Sequence, residues 1–147
     1  MEMRTLSGSD LKVSALSMGT VNFGSKISEE QAFAHMDRYL ELGGNLLDTA
    51  HVYSDWLPGE KSRSEKIIGR WFKSRRPDSM VICTKGGHFD LDTPQISRVT
   101  PANLHQDLIG NGNHLLGHIV DPDRGFIHNT VGLPVDQISP FSGHALG

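Results

Sequence analysis

Apolar positions in the first part of the chain recur in two patterns, short runs typical of strands and longer stretches at helical spacing. Ser28, with Gln31 three residues later, forms a capping box before such a stretch, and Gly43-Gly44 ends it. The predicted elements are a hairpin of 3–6 and 11–13, a strand at 15–20, a helix after Ser28, a strand at 45–50, a helix capped by Ser64, a strand at 80–84, and a third helix opened by Thr100-Pro101 and running through Leu108.

The order of these elements predicts the fold class. After the hairpin, a strand and a helix alternate three times. Strands separated by helices are joined by right-handed crossovers, and such connections produce a parallel sheet covered by helices. The sequence therefore predicts an α/β protein.

The chain changes character after Leu108. Residues 1–108 contain 13 of the 14 Lys and Arg residues and all six Glu residues. Residues 109–147 contain no Lys and no Glu, but they hold seven of the 16 Gly and four of the eight His residues. Such a composition supports little apolar burial to offset the cost of ordering the chain. We expect a structured portion at 1–108 and a divergent, poorly ordered tail at 109–147.

Charge and cysteine content narrow the possible partners and the compartment. The formal charge of -3 gives no positive field for a phosphate backbone, so we expect no nucleic acid partner. The single cysteine, Cys83, excludes an internal disulfide, and the first residues lack an apolar stretch that would form a membrane span. These features predict a cytoplasmic protein that does not bind a membrane.

Three polar residues follow the ends of two predicted strands. Asp48 lies near the end of the second strand, Tyr53 follows five residues later, and Lys85 closes the third strand. Loops at the carboxyl ends of parallel strands face one opening, so these side chains are expected to converge. A lysine cation favours the phenolate of a tyrosine, whose ordinary pKa is about 10, and an aspartate would keep that cation in place. This grouping suits proton donation to a carbonyl oxygen, although spacing alone favours an ordinary capping Asp, a half-buried Tyr and a surface Lys.

Several segments resemble the aldo-keto reductases. They are GGNLLDTAHVY at 43–53, SEKIIG at 64–69 and ICTK at 82–85, together with LKVS at 11–14, MGT at 18–20 and NFG at 22–24. The resemblance covers about residues 3–108. It implies the front part of a (β/α)8 TIM barrel, with an amino-terminal hairpin that closes the bottom of the barrel. It also implies an NAD(P)H-dependent oxidoreductase that reduces a small-molecule carbonyl substrate to an alcohol.

The resemblance assigns roles to the residues at the strand ends. It implies that Tyr53 is the general acid, that Lys85 lowers the pKa of Tyr53, and that Asp48 pairs with Lys85. It also favours NADP(H) over NAD(H) as the cofactor. The residues it places near the nicotinamide are Gly19, Thr20, Val21 and Asp48.

The chain departs from the family pattern after Leu108. The family continues into a fourth strand that ends in a catalytic histidine, and later strands bind the carboxamide and the adenosine phosphate. A whole barrel takes about 250 residues. We therefore expect a truncated chain of three strand–helix units with little or no activity of its own, or alternatively a non-catalytic fragment with an interaction or regulatory role. An unpaired edge on the third strand would favour self-association.

Other signals in the sequence are weaker. His114 and His118 stand four residues apart, and with His128 or Asp121 they resemble a metal-ligand set. The Gly-Asn sequence around them argues against the helix that such a set needs, so no metal site is assigned. None of these histidines is assigned the missing catalytic role. Cys83 is interpreted as a small apolar core residue.

Overall fold

The computed structural model describes residues 1–7, 9–116 and 126–128. Six strands and three helices lie in these ranges. In chain order they are β1 (Met3–Thr5), β2 (Lys12–Ser14), β3 (Met18–Gly19), α1 (Glu29–Glu41), β4 (Leu46–Asp48), α2 (Arg63–Arg75), β5 (Val81–Thr84), α3 (Pro101–Leu116) and β6 (Phe126–His128).

The strands form two separate sheets. β1 and β2 pair antiparallel as the predicted hairpin. The remaining four strands form one parallel sheet in the order β3-β4-β5-β6. Helices follow β3, β4 and β5 in the chain, which confirms the α/β class and the partial barrel. Within the described residues the four-stranded sheet is open, because a barrel of this type closes with eight strands.

Helix α1 begins where the capping box predicts. Ser28 Oγ accepts a hydrogen bond from the Gln31 backbone N–H at 3.2 Å, and the Ser28 N–H donates to Gln31 Oε1 at 3.0 Å. The apolar sides of α1 and α2 both pack on the sheet. The buried core that they share with the strands includes Phe23, Ala32, Met36, Tyr39, Leu47, Ile67, Ile68, Trp71, Phe72, Met80, Ile82 and Leu115.

The expected cap of α2 is wrong. The helix starts at Arg63, and the residue before it, Ser62, has a φ of 52° and makes no side-chain cap. Ser64 therefore lies inside the first turn, where its hydroxyl donates to the Thr20 carbonyl oxygen at 2.9 Å. Ser64 is fully buried against the sheet, so its hydroxyl is satisfied across this interface and not by its own helix.

Helix α3 begins as predicted but is longer. Thr100 Oγ1 accepts from the Asn103 N–H at 3.2 Å, as an N-cap residue does. The helix continues eight residues beyond Leu108, to Leu116, and Asn111 and Leu115 on this extension are buried. The poorly ordered tail was predicted at 109–147, but its first part, 109–116, continues α3 because buried residues hold it on the core. Residues 117–125 and 129–147 lie outside the described residues.

The expected unpaired edge on β5 is also wrong. β6 pairs with β5 in parallel, with Ile82 opposite Phe126 and Thr84 opposite His128. Exposed backbone N–H and C=O groups on a strand edge are satisfied when a second extended segment lies beside them, and Phe126–His128 provides that segment. None of the helices in the described part of the chain is long and apolar enough to cross a membrane.

Helices α2 and α3 approach each other closely at Gly69. A Cβ built on Gly69 would lie 2.0 Å from the His114 carbonyl oxygen, which is backbone and cannot move aside alone. Any side chain at position 69 must therefore push the two helices apart. By contrast, a Cβ built on Gly112, on α3, meets no atom within 4 Å.

We expect Gly69→Ala to destabilise the fold by about 1–3 kcal/mol, the usual cost of overpacking a tight interface. Gly112→Ala is the matched control. It should stabilise the protein by about 0.5–1 kcal/mol, because alanine is the better helix former where there is space. Urea unfolding followed by circular dichroism measures both changes. A Gly69→Ala variant as stable as the wild type would contradict the observed helix contact.

Candidate active site

The carboxyl ends of β4 and β5 bring the three predicted polar residues together. Lys85, the residue after β5, donates from Nζ to Asp48 Oδ1 at 2.7 Å and to Tyr53 Oη at 3.1 Å. Its third bond goes to the Thr49 carbonyl oxygen at 2.8 Å. An ammonium has three N–H donors, so these three acceptors satisfy it completely. The predicted convergence of Asp48, Tyr53 and Lys85 is present in the structure.

The Lys85 ammonium lies close to both the hydroxyl and the ring of Tyr53. Besides the bond to the hydroxyl, Lys85 Nζ lies 4.9 Å from the centre of the Tyr53 ring. Because the Tyr53 oxygen accepts the bond from Lys85, its own O–H proton remains free to be donated outward. A phenol held this way beside a cation can release a proton and keep the resulting negative charge stabilised.

The charge state of Lys85 follows from its partners. Burial alone would lower the lysine pKa, but the hydrogen bonds to Asp48 and then Tyr53 outweigh burial, and the pKa of Lys85 lies above its ordinary value. The ammonium therefore stays charged at neutral pH. It loses its proton only at alkaline pH above the ordinary lysine range.

Cys83 lies on β5 opposite Asp48 in the register of the two strands. Burial raises the pKa of the Cys83 thiol above its ordinary value, and the nearby Asp48 carboxylate raises it further, while Lys85 acts in the opposite direction. The thiol is therefore protonated at neutral pH and weakly nucleophilic. The pKa of the Cys83 thiol therefore depends on the charges of Asp48 and Lys85.

The residues predicted to lie near the nicotinamide are at the end of β3. Gly19 is opposite Asp48 in the register of β3 and β4, and it is exposed. Thr20 is buried, and its N–H and Oγ1 both lie 3.0 Å from the Asp48 carbonyl oxygen, to which they donate. Val21 follows with 42% of its surface exposed. Gly19 and Val21 are therefore exposed on either side of the buried Thr20, next to Asp48 on the neighbouring strand.

The loop that carries Tyr53 is held by Ser54, which was not predicted to be part of the site. Ser54 is fully buried with a φ of 69°, and its Oγ donates to the Phe23 carbonyl oxygen at 2.8 Å and to that of Val21 at 3.2 Å. A left-handed φ at a non-glycine residue is costly, so these bonds fix the turn after Tyr53. No short-range pattern marks Ser54, because its partners are more than 30 positions away.

His51 also ties the two strand ends together. Its backbone N–H donates to the Lys85 carbonyl oxygen at 3.5 Å, and its Nδ1 lies 3.1 Å from the same oxygen. The histidine therefore fixes the Lys85 backbone from the loop after β4. The other histidine at this edge, His128, ends β6 opposite Thr84 and not opposite Lys85. Because the strand register places His128 opposite Thr84, we assign His128 no role in the site.

The first turn of α2 fixes three strand ends from the helix side. Ser64 Oγ donates to Thr20 beyond β3 and lies 3.3 Å from Thr49 Oγ1 beyond β4. The next residue, Glu65, accepts from Thr84 Oγ1 at the end of β5. Ser64 and Glu65 belong to the SEKIIG segment at 64–69. The resemblance of this segment to the family was the feature of the sequence that could have identified them.

The comparisons with known proteins identify the family of this chain. The model of the aldo/keto reductase family matches residues 15–109, so the chain belongs to the aldo-keto reductase family. Relatives of the chain include proteins named as oxidoreductases.

Three relatives show how far the likeness extends. An uncharacterized 11.2 kDa protein of Pseudescherichia vulneris is 44% identical over 90 residues, which cover 59% of this chain and 87% of that protein. The aryl-alcohol dehydrogenase [NADP(+)] of Phanerodontia chrysosporium is 34% identical, over 53% of this chain and 21% of the relative. The holo structure of an aldo-keto reductase from Bacillus halodurans has a TM-score of 0.61 and 31% identity, and covers 78% of this chain and 36% of that chain. The chain thus spans a fifth to a third of the two proteins with a stated activity.

The charges around Cys83 lead to a prediction about its reactivity. Asp48→Asn removes the carboxylate that raises the Cys83 pKa, so the thiolate should form at lower pH and alkylation by iodoacetamide at mildly alkaline pH should become several-fold faster. Since Cys83 is the single cysteine, the total alkylation rate reports on it alone. Asp90→Asn, on the exposed loop after β5, is the control and should leave the rate unchanged. An unchanged rate in Asp48→Asn would contradict the charge arrangement.

Proposed function

We propose that the site serves NADP(H)-dependent reduction of a carbonyl compound to an alcohol, with Tyr53 as the general acid. The observation that supports the proposal is the Lys85 ammonium bonded at once to Asp48 and to the Tyr53 hydroxyl. When bound, the cofactor supplies the hydride that reduces the carbonyl carbon. Tyr53 gives its proton to the carbonyl oxygen, and the negative charge left on the phenolate is held by Lys85.

The proposed position of the nicotinamide is at the end of β3. A Cβ built on Gly19 meets no atom within 4 Å, so the surface at the end of β3 is open. We propose that Gly19, Thr20 and Val21 contact the nicotinamide through their backbone, with Asp48 beside them. Thr20 is buried and bonded to Asp48, which makes this backbone rigid.

NADP(H) is the cofactor we propose in preference to NAD(H). The support is the family resemblance together with the relative whose name includes NADP(+), the aryl-alcohol dehydrogenase of Phanerodontia chrysosporium. The substrate class is a small carbonyl compound, and we propose the cytoplasm as the compartment.

A second function is a non-catalytic interaction or regulatory role. The observation that favours it is coverage, because the chain matches only 21% of the aryl-alcohol dehydrogenase and 36% of the Bacillus halodurans reductase. The remaining parts of those two proteins are not matched by this chain. The Asp48–Tyr53–Lys85 geometry favours the reductase function.

We expect the 147-residue chain to reduce a generic aromatic aldehyde with NADPH slowly or not at all. Loss of substrate and cofactor orientation alone can cost about 7–11 kcal/mol of barrier lowering. The measurement is loss of NADPH absorbance at high protein concentration, with Tyr53→Phe as the test variant and His105→Gln, exposed on α3, as the control.

The possible outcomes test the reductase proposal and the role of Tyr53. Weak turnover that disappears in Tyr53→Phe but remains in His105→Gln supports the reductase proposal. Fast, steady turnover by the wild type would contradict the expected low activity. Turnover that is unchanged in Tyr53→Phe would contradict the role of Tyr53.

Self-association through the open sheet is a further part of the proposal. The edge strands of the described sheet are β3 and β6. Edges of this kind pair readily with another chain. We expect sedimentation velocity to show dimers or larger species that increase with concentration. A single species near 16.2 kDa at all concentrations would exclude this association.

A further inference from the structure

Glu65 is a carboxylate enclosed between the sheet and the helices. It lies on α2, and its side chain has no exposed surface. The proposed reaction does not use it. Burying a carboxylate costs several kcal/mol unless hydrogen bonds replace the lost water, so its partners explain why it is tolerated there.

The partners of Glu65 come from two other elements. Thr84 Oγ1, on β5, donates to Glu65 Oε1 at 2.5 Å. On α3, His114 Nδ1 lies 3.2 Å from Oε2. Asn111, with its amide nitrogen turned toward the carboxylate, donates to Oε2 at 3.2 Å and to the Asp107 carbonyl oxygen at 3.0 Å. The carboxylate thus joins α2, β5 and α3 at one point.

This point lies directly behind Lys85. Thr84 precedes Lys85 in the chain, and side chains alternate between the faces of a strand, so Thr84 points to the helices while Lys85 points to the site. On the other side of Lys85, the Gly87 N–H donates to Asp107 Oδ2 at 2.8 Å. The lysine is therefore held between two attachments, Thr84 to Glu65 and Gly87 to Asp107.

Stability alone is a poor explanation for the buried carboxylate. Replacing a buried charged group by a well-packed apolar residue is often neutral or stabilising, so a core position needs no carboxylate for stability. Unlike an apolar side chain, a carboxylate accepts hydrogen bonds of defined direction. Here the bond from Thr84 to Glu65 fixes the last residue of β5.

We propose that Glu65 is a positioning residue for Lys85: its bond to Thr84 fixes the carboxyl end of β5 so that Lys85 Nζ reaches Asp48 and Tyr53. The use of this positioning for catalysis rests on the proposed function. The position of Lys85 itself can be tested without measuring turnover.

The pH dependence of Cys83 alkylation tests the proposal, because Asp48 and Lys85 act on this thiol in opposite directions. If Lys85 leaves Asp48, the carboxylate is no longer neutralised and the midpoint of alkylation moves to higher pH. If the fold merely loosens, the thiol gains water and the midpoint moves to lower pH. The direction of the shift therefore separates a positioning role from a general structural one.

The variants are Glu65→Leu, which removes the acceptor, and Thr84→Val, which removes the donor with little change of shape. Both should move the midpoint upward, in the same direction as Lys85→Met. Glu65→Gln keeps an oxygen acceptor for Thr84 and should restore most of the wild-type midpoint. Met36→Ala, in the core on α1, is a matched destabilising control and should give no upward shift.

Each outcome has a defined meaning. Upward shifts in Glu65→Leu and Thr84→Val, with rescue by Glu65→Gln, support the proposal. An unchanged or lower midpoint in Thr84→Val, or an equal upward shift in Met36→Ala, overturns it. If Glu65→Leu does not fold, Thr84→Val decides alone. Turnover that is unchanged in Tyr53→Phe, together with upward shifts, would reject the proposed function and leave this inference standing.

Discussion

The structure of the site depends on one interaction, the Lys85 ammonium bonded to three oxygen atoms. Two of them belong to β4 and the residue after it, and the third to the loop that turns back over the strand ends. A half-buried ammonium with fewer acceptors would be poorly solvated. Because every donor is used, displacement of Asp48 or Tyr53 would leave the cation incompletely satisfied. The cation thus holds the carboxylate and the phenol in one arrangement.

The outer helices are part of this arrangement, although they do not contact the site face. Two consecutive residues in the first turn of α2, Ser64 and Glu65, reach Thr20, Thr49 and Thr84 at the ends of three neighbouring strands. Each bond links a helix to the strand position adjacent to a site residue. The relative positions of the strand ends are therefore fixed on the helix side, and the open face remains available for ligands. The tight approach of α2 to α3 at Gly69 brings His114 and Asn111 to the same carboxylate.

Much of this arrangement could be predicted from local patterns. The capping box at Ser28 and the Thr100-Pro101 pair each act within a few residues, so the starts of α1 and α3 were recognised. The site residues were predicted because each one follows a strand, and parallel strands bring their carboxyl ends to one edge. The long-range contacts between the helices and the strand ends were not predicted. Ser64 has a sequence typical of a cap, but its partner, Thr20, is 44 residues away.

The sequence by itself determined the α/β class, the family, and the set of groups at the strand ends, because periodicity and strand-end position are properties of neighbouring residues. Only the tertiary structure decided that the Thr49 carbonyl oxygen is the third acceptor of Lys85, that Glu65 lies behind Lys85, and that β6 covers the edge of β5. These facts depend on which segments meet in space. The free energy that selects them comes from packing and from satisfying buried polar groups, and neither is recorded in any local run of residues.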